Sequence, residues 1–207
     1  MKMETEKQET TLMTWLTKRR EPFQFMLELS MLGSVLIFAF ILLVYLFRSQ
    51  EPNWQDIALP RIFWLSTALI IISSGTLYSA WSAFRNEHFL NYRIMLGMTF
   101  ALGLAFVVIQ IIGWSDMLQS GIRMEDNIAA AFIYMISGLH VVHILGGLFF
   151  LGKILLEALQ NHRYLDAYVY SVNPPNQLRV RLTTLFWHFV DGLWILLFLF
   201  LLYHHRR

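Results

Sequence analysis

Five stretches of this chain stay apolar long enough to leave water. They lie at about 25–47, 62–84, 91–112, 127–155 and 183–203, separated by polar segments. A helix needs roughly 20 residues to cross about 30 Å of hydrocarbon, and each stretch meets that length. A helix also satisfies its own backbone hydrogen bonds, which lipid cannot do. The pattern therefore predicts an all-α, polytopic transmembrane helix bundle with five spans. Pro60 suits the start of the second span, where a missing N–H costs nothing. RNEHFLN is a short connection, so the second and third spans should be antiparallel neighbours. EALQNHRYLDAYVYSVNPPNQLRVR, before the last span, reads as a long polar connection broken at Asn173-Pro174-Pro175. Residues 1–24 read as a polar cytoplasmic tail. They have no apolar core or small-residue cleavage site, so no signal peptide is expected.

The pattern breaks in informative places. LFWHFVDGLWILLFLF (185–200) would be plain lipid-seeking sequence but for His188 and Asp191. A charge at bilayer depth costs roughly 2.5–3.5 kcal/mol on insertion scales. Trp187, Asp191 and Trp194 are spaced i, i+4, i+7, with His188 at the edge of their stripe. Such a stripe should face protein. SGLHVVHILGG (137–147) puts His140 and His143 at i, i+3 and carries Gly138, Gly146 and Gly147, which permit close approach by a neighbour. The third span has a small-residue stripe, Gly97, Ala101 and Ala105, and a buried amide at Gln110. Ser66, Thr67, Ser73, Ser74, Gly75 and Ser79 give the second span another close-packing surface.

Two chemistries compete for these polar residues. His140, His143 and His188, completed by Asp191, could ligate a metal or haem, since i, i+3 imidazoles can share one ion. The other reading is a structural polar cluster, in which the four residues make interhelical hydrogen bonds. His188 lies only about two turns into its span while His140 and His143 lie near mid-span, a depth mismatch that favours the structural reading. Asp191 is either a proton-pathway acid or a buried partner of a neighbouring polar group. No Ser-His-Asp set or phosphate loop supports soluble-type catalysis.

Composition narrows the classes further. The chain is 57% hydrophobic and only 14% charged, with net charge +2, which gives no footprint for nucleic acid. With no cysteine, disulfides, thiolate metal sites and iron–sulfur clusters are excluded. Eleven Lys and Arg fall on the side of the N-terminal tail and the second and fourth loops, against five on the other. That bias predicts a cytoplasmic N-terminus and an external C-terminus. Trp15, Trp54, Trp114 and Tyr203 sit near predicted span ends, where amphipathic rings favour the interface. The tail His204-His205-Arg206-Arg207 reads as solvated.

The same residues carry a family resemblance. FWHFVDGLW (186–194) resembles the last-helix signature of subunit III of the haem-copper respiratory oxidases, which oxidise cytochrome c or quinol. LPRIFWLSTALIIISSGTLYSAW (59–81), MLGMTFALGLAFVVIQIIGW (95–114) and ISGLHVVHILGG (136–147) resemble three other helices of that family, in order. The five spans are similar to the last five helices of the seven-helix form, as in short bacterial versions. The resemblance implies an accessory subunit with no haem or copper of its own, those cofactors belonging to partner subunits. It implies oxidase subunit I, subunit II and phospholipids as partners, admits a respiratory supercomplex, and implies a role in stabilising the catalytic subunit and supporting proton uptake. It also implies the bacterial cytoplasmic membrane. Two positions depart from the family pattern. Gly113 stands where a buried Glu is usual, three residues after Gln110. Arg181 stands where a Glu often precedes the last-helix His, and it can hold a lipid phosphate instead. From the residues alone, two alternatives stay open: a membrane cytochrome b with His140 and His188 as axial ligands, and a small proton-coupled transporter using Asp191.

Overall fold

The computed structural model describes residues 22–52, 54, 57 and 59–204. Most of the polar tail, Trp15 and the last three residues lie outside the described residues. Among the described residues, six helices occur: α1 (Pro22–Arg48), α2 (Ile62–Arg85), α3 (Phe89–Gln119), α4 (Ile128–Gln160), α5 (Tyr164–Val172) and α6 (Pro174–His204). All but α5 are long and apolar enough to cross a membrane. The fold is therefore the all-helical, five-span type that the hydropathy pattern predicts. The chain divides into two compact units, one ending at Leu36 and the other spanning Ile37–Arg207. In the first, Gln24 donates to Glu28 one turn on, and the Ser34 hydroxyl donates to the Ser30 carbonyl.

In the second unit α2 packs on α3, α3 on α4, α4 on α6, and α6 back on α2. Four helices so close a ring around one core. Tyr45, from the second half of α1, meets Trp54, Phe132 and Phe200 edge-on at 5.1–5.4 Å.

Local chemistry sets the turns. At the end of α3, Gly121 takes φ 78°, Ile122 N–H bonds the Met117 carbonyl, and Gly121 N–H bonds Leu118. This is the paired closure by which a left-handed residue satisfies the last carbonyls of a helix. The α2–α3 turn uses the same closure with Glu87 at φ 60°, bonding His88 N–H to Ala83 and Glu87 N–H to Phe84. α4 starts at Asn127, whose side chain accepts from the N–H groups of Ala129 and Ala130 at 2.8 and 3.3 Å.

The connection before the last span needs correction. The chain does break at Asn173-Pro174-Pro175, between two helices, but the connection is not free of helix. α5 occupies its middle, and α6 begins at Pro174 rather than near residue 183. Two prolines are tolerated in a first turn because the N–H groups they lack have no helical partner there. Asn176 and Gln177 then reach back to the Tyr170 and Ser171 carbonyls at 3.2 and 2.7 Å, closing the end of α5.

The close approaches match expectation at Gly147 but not at Gly97 or Gly146. A Cβ on Gly97 would meet nothing within 4 Å, whereas one on Gly103 would lie 2.6 Å from the Trp187 ring. Gly147 approaches the same ring at 3.1 Å, while Gly146 meets nothing within 4 Å. The Gly97–Ala101–Ala105 stripe thus packs on no helix of the ring at Gly97, and Trp187 selects the two glycines on its own level.

Candidate functional site

Several polar residues of the membrane-spanning segments converge on α2. Its hydroxyls share one habit. Ser66 and Thr67 donate to the Phe63 carbonyl, Ser73 to Ile70 and Thr76 to Ser73, at 2.8–3.1 Å. A Ser or Thr hydroxyl has one proton and two lone pairs. A hydroxyl that gives its proton to the helix's own backbone still has lone pairs with which to accept from outside. The neighbouring helices present N–H donors in register. Trp187 Nε1 donates to Ser73 at 3.1 Å, Trp194 Nε1 to Thr67 at 3.1 Å, and Gln110 Nε2 to Ser66 at 3.1 Å. Thr76 and Thr99 join α2 to α3 at 2.8 Å. Ser74 meets His188 Nδ1 at 2.7 Å. Residue numbers rise along α6 as they fall along α2, as antiparallel helices require.

Asp191 is 2% exposed, and its Oδ2 lies 3.5 Å from the Ser73 hydroxyl. Among the described residues, its Oδ1 has no hydrogen-bond partner. His140 is fully buried between aromatic rings, with Trp194 at 4.8 Å and Phe106 at 5.6 Å, and among the described residues neither ring nitrogen has a hydrogen-bond partner. His143 meets the Leu139 carbonyl at 2.8 Å through Nδ1, and its ring lies 5.5 Å from Phe38.

A polar contact of His140 and His143 with His188 and Asp191 was expected; among the described residues, the His140 ring makes no hydrogen bond. The polar edge of α6 turns to α2, and the side it offers α4 is aromatic: Trp194 covers His140 and Trp187 covers Gly147. Ser73 and Ser74 are the partners that reading missed, having counted them as packing. The indoles at 187 and 194 match hydroxyls at 73 and 67 in antiparallel order, a signal that can be read only once α6 is known to lie beside α2.

An axial pair would need His140 and His188 to face one space. One faces Phe106 and Trp194, the other Ser74, so the residues do not fit a haem between them. Among the described residues, no group of three His, Asp or Glu side chains is placed to hold a metal ion. Gly113, at the position of the usual family Glu, backs onto Ile62 and Phe63: a Cβ there would lie 2.9 and 3.1 Å from their side chains. The space for a carboxylate is taken.

Outside the spans, Glu157 at the end of α4 accepts from Tyr170 of α5 at 2.6 Å and from Arg179 of α6. Burial first, then the bond to Glu157 and its charge, push the Tyr170 phenol up from its ordinary value. It therefore stays a donor through the physiological range. Arg93 donates to the Asn161 carbonyl at 2.8 Å. Arg181 is exposed.

Comparison with known proteins identifies the family. The family described as Cytochrome c oxidase subunit III matches residues 20–206. A cytochrome c oxidase subunit 3 from Synechocystis sp. is 28% identical over 184 residues, covering 83% of this chain and 74% of that protein. A cytochrome c oxidase subunit 3 from Bacillus sp. (strain PS3) is 23% identical over 170 residues, covering 80% and 78%. A cytochrome bo(3) ubiquinol oxidase subunit 3 from Buchnera aphidicola is 24% identical over 178 residues, covering 83% and 86%. With five apolar helices, a match over nearly its whole length and relatives among both cytochrome c and ubiquinol oxidases, the chain belongs to the cytochrome c oxidase subunit III family of the haem-copper respiratory oxidases.

Proposed function

We propose that this chain is a cofactor-free accessory subunit of a terminal oxidase, held beside catalytic subunit I and subunit II in the bacterial cytoplasmic membrane. In this reading it stabilises the catalytic subunit, carries phospholipid with Arg181 as one headgroup contact, and supports proton uptake while another chain reduces O₂. The observation that carries it is the hydroxyl seam on α2. The seam's hydroxyls bond Trp187, His188 and Trp194 of α6 and Gln110 of α3. Polar groups placed to hold helices together are what a supporting subunit needs. Asp191 belongs to the same seam and acts through structure.

The test is the intact oxidase carrying Asp191→Ala or Asp191→Asn. A buried interhelical contact contributes about 0.6–2 kcal/mol, roughly three- to thirtyfold in association. Asp191→Ala should lower retention of this subunit by that order and make activity fade sooner during turnover. Haem content and initial rate should stay near wild type. Asp191→Asn, which keeps shape and hydrogen-bonding capacity, should be milder. If Asp191→Asn abolished the initial rate while the subunit stayed bound, Asp191 would be a proton carrier and the structural account would fail.

The basic-residue bias carries an orientation as part of the same proposal. The N-terminus is cytoplasmic and the C-terminus external. A reporter active only outside the cytoplasm, fused after Arg207, should be active. Activity of a cytoplasm-only reporter at that position would reverse the assignment.

A further inference from the structure

α5 is a nine-residue helix with three distinct sides. Ala167 and Ser171 are buried, and Tyr170 reaches Glu157. Asp166 is exposed on a polar side. The remaining side carries Tyr164, Leu165, Tyr168, Val169 and Val172, at i, i+1, i+4, i+5 and i+8, all exposed. Leu165 is 74% and Val169 66% exposed. Such spacing gathers five apolar and aromatic side chains into one stripe more than a third of the helix wide.

Position says what covers that stripe. Residues 161–163 and residue 173 tether α5 to the ends of two membrane-spanning helices. Tyr170 meets Glu157, four residues along α4 from the exposed Lys153. Four helical residues rise about 6 Å, so α5 lies within roughly one turn of the level of Lys153. The ammonium of Lys153 sits 4.4 Å over the Phe149 ring, its stem along an apolar surface as at a membrane boundary. Phe149, Leu156 and Leu159 continue that exposed apolar surface along α4.

Charge points the same way. Among the described residues, this end of the ring carries Arg85, Arg93, Lys153, Arg163, Arg179 and Arg181 against Glu87, Glu157 and Asp166. At the opposite end, among the described residues, Arg48, Arg61 and Arg123 face Glu51, Asp116, Glu125 and Asp126. The cationic end is the one that holds the amphipathic helix. Arg85, Arg163 and Arg181 are exposed there.

We propose that α5 is a membrane-surface anchor: it lies in the headgroup layer, with Leu165, Val169 and Val172 entering the acyl boundary and the flanking arginines engaging anionic lipid phosphates. The rings of Tyr164 and Tyr168 occupy the interface, where an apolar body and a polar tip are both accommodated. The occupant is lipid, by the match of an apolar stripe to a cationic rim. This role needs only that the long helices span a bilayer, so it stands apart from any part in oxygen reduction.

The test uses the intact complex in its native membrane. p-Benzoylphenylalanine is placed in turn at Leu165, Val169 and Asp166 and activated by light, and adducts are identified by mass. Expected are lipid adducts at Leu165 and Val169, enriched in anionic phospholipid, and little or none at Asp166. Crosslinks from Leu165 and Val169 to another protein would show that a subunit covers the stripe and would overturn the proposal. So would absence of lipid adducts at both, which would place the stripe in water. Lipid adducts without anionic enrichment would overturn the role given to the arginines.

Discussion

Trp187→Ala should be among the most damaging single changes in this chain, costing about 3–5 kcal/mol, the usual range for deleting a fully buried large aromatic. Trp187 is 0% exposed, donates to Ser73, and fills the level at which Gly103 and Gly147 leave room. Its removal opens a hole where α3, α4 and α6 meet. Trp187→Phe keeps part of the volume and loses the indole N–H, so it should cost nearer the ~1 kcal/mol of one hydrogen bond plus a small packing loss. Thermal stability of the purified oxidase and the fraction of subunit retained would measure both. A second substitution tests the packing argument itself. Gly103→Leu alone should destabilise, because even its Cβ would lie 2.6 Å from the Trp187 ring. Combined with Trp187→Ala it should recover stability by partly filling the hole, a coupling that distant sites would not show. Strictly additive losses would mean that the two residues do not share that space.

Gly113→Glu should be severely destabilising, although it restores the family pattern. Its Cβ would sit 2.9 Å from Ile62 and 3.1 Å from the fully buried Phe63. Overpacking costs about 1–3 kcal/mol, and a buried carboxyl without a partner adds about 1–3 kcal/mol or more. Gly113→Ala brings the close contact without the acid, so it separates the two costs. Phe63→Ala combined with Gly113→Glu removes the 3.1 Å contact but not the 2.9 Å one to Ile62, so it should relieve only part of the overpacking. The yield of assembled complex and its melting temperature would decide. Normal assembly of Gly113→Glu would show that the site can rearrange to take a carboxylate.

The five long helices were legible along the chain because lipid removes every other solution for the backbone. A run such as Phe25 to Phe47 has to be helical whatever its neighbours do. The family motifs were legible for a related reason: His188, Asp191 and the histidines of α4 are costly in a span and stand out against Leu and Phe. Their partners were not legible. Periodicity places Asp191 on a stripe with Trp187 and Trp194, yet it cannot say which neighbour that stripe meets. That depends on which helix lies beside α6 and at what height. The ring order decided it, turning the polar edge of α6 to Ser73 and Ser74 and leaving His140 among aromatic rings. The connection before the last span failed for another reason. Nine residues of mixed polarity form α5 because α6 supplies the caps for its last carbonyls, a contact made only when the chain has folded back. The sequence by itself determined the membrane environment, the number of spans and which residues are too polar to face lipid. Only the tertiary structure decided their partners, the level at which Trp187 enters Gly103 and Gly147, and the loss of space for an acid at Gly113. Those depend on the height and rotation of each helix, which side-chain packing sets and hydropathy does not encode.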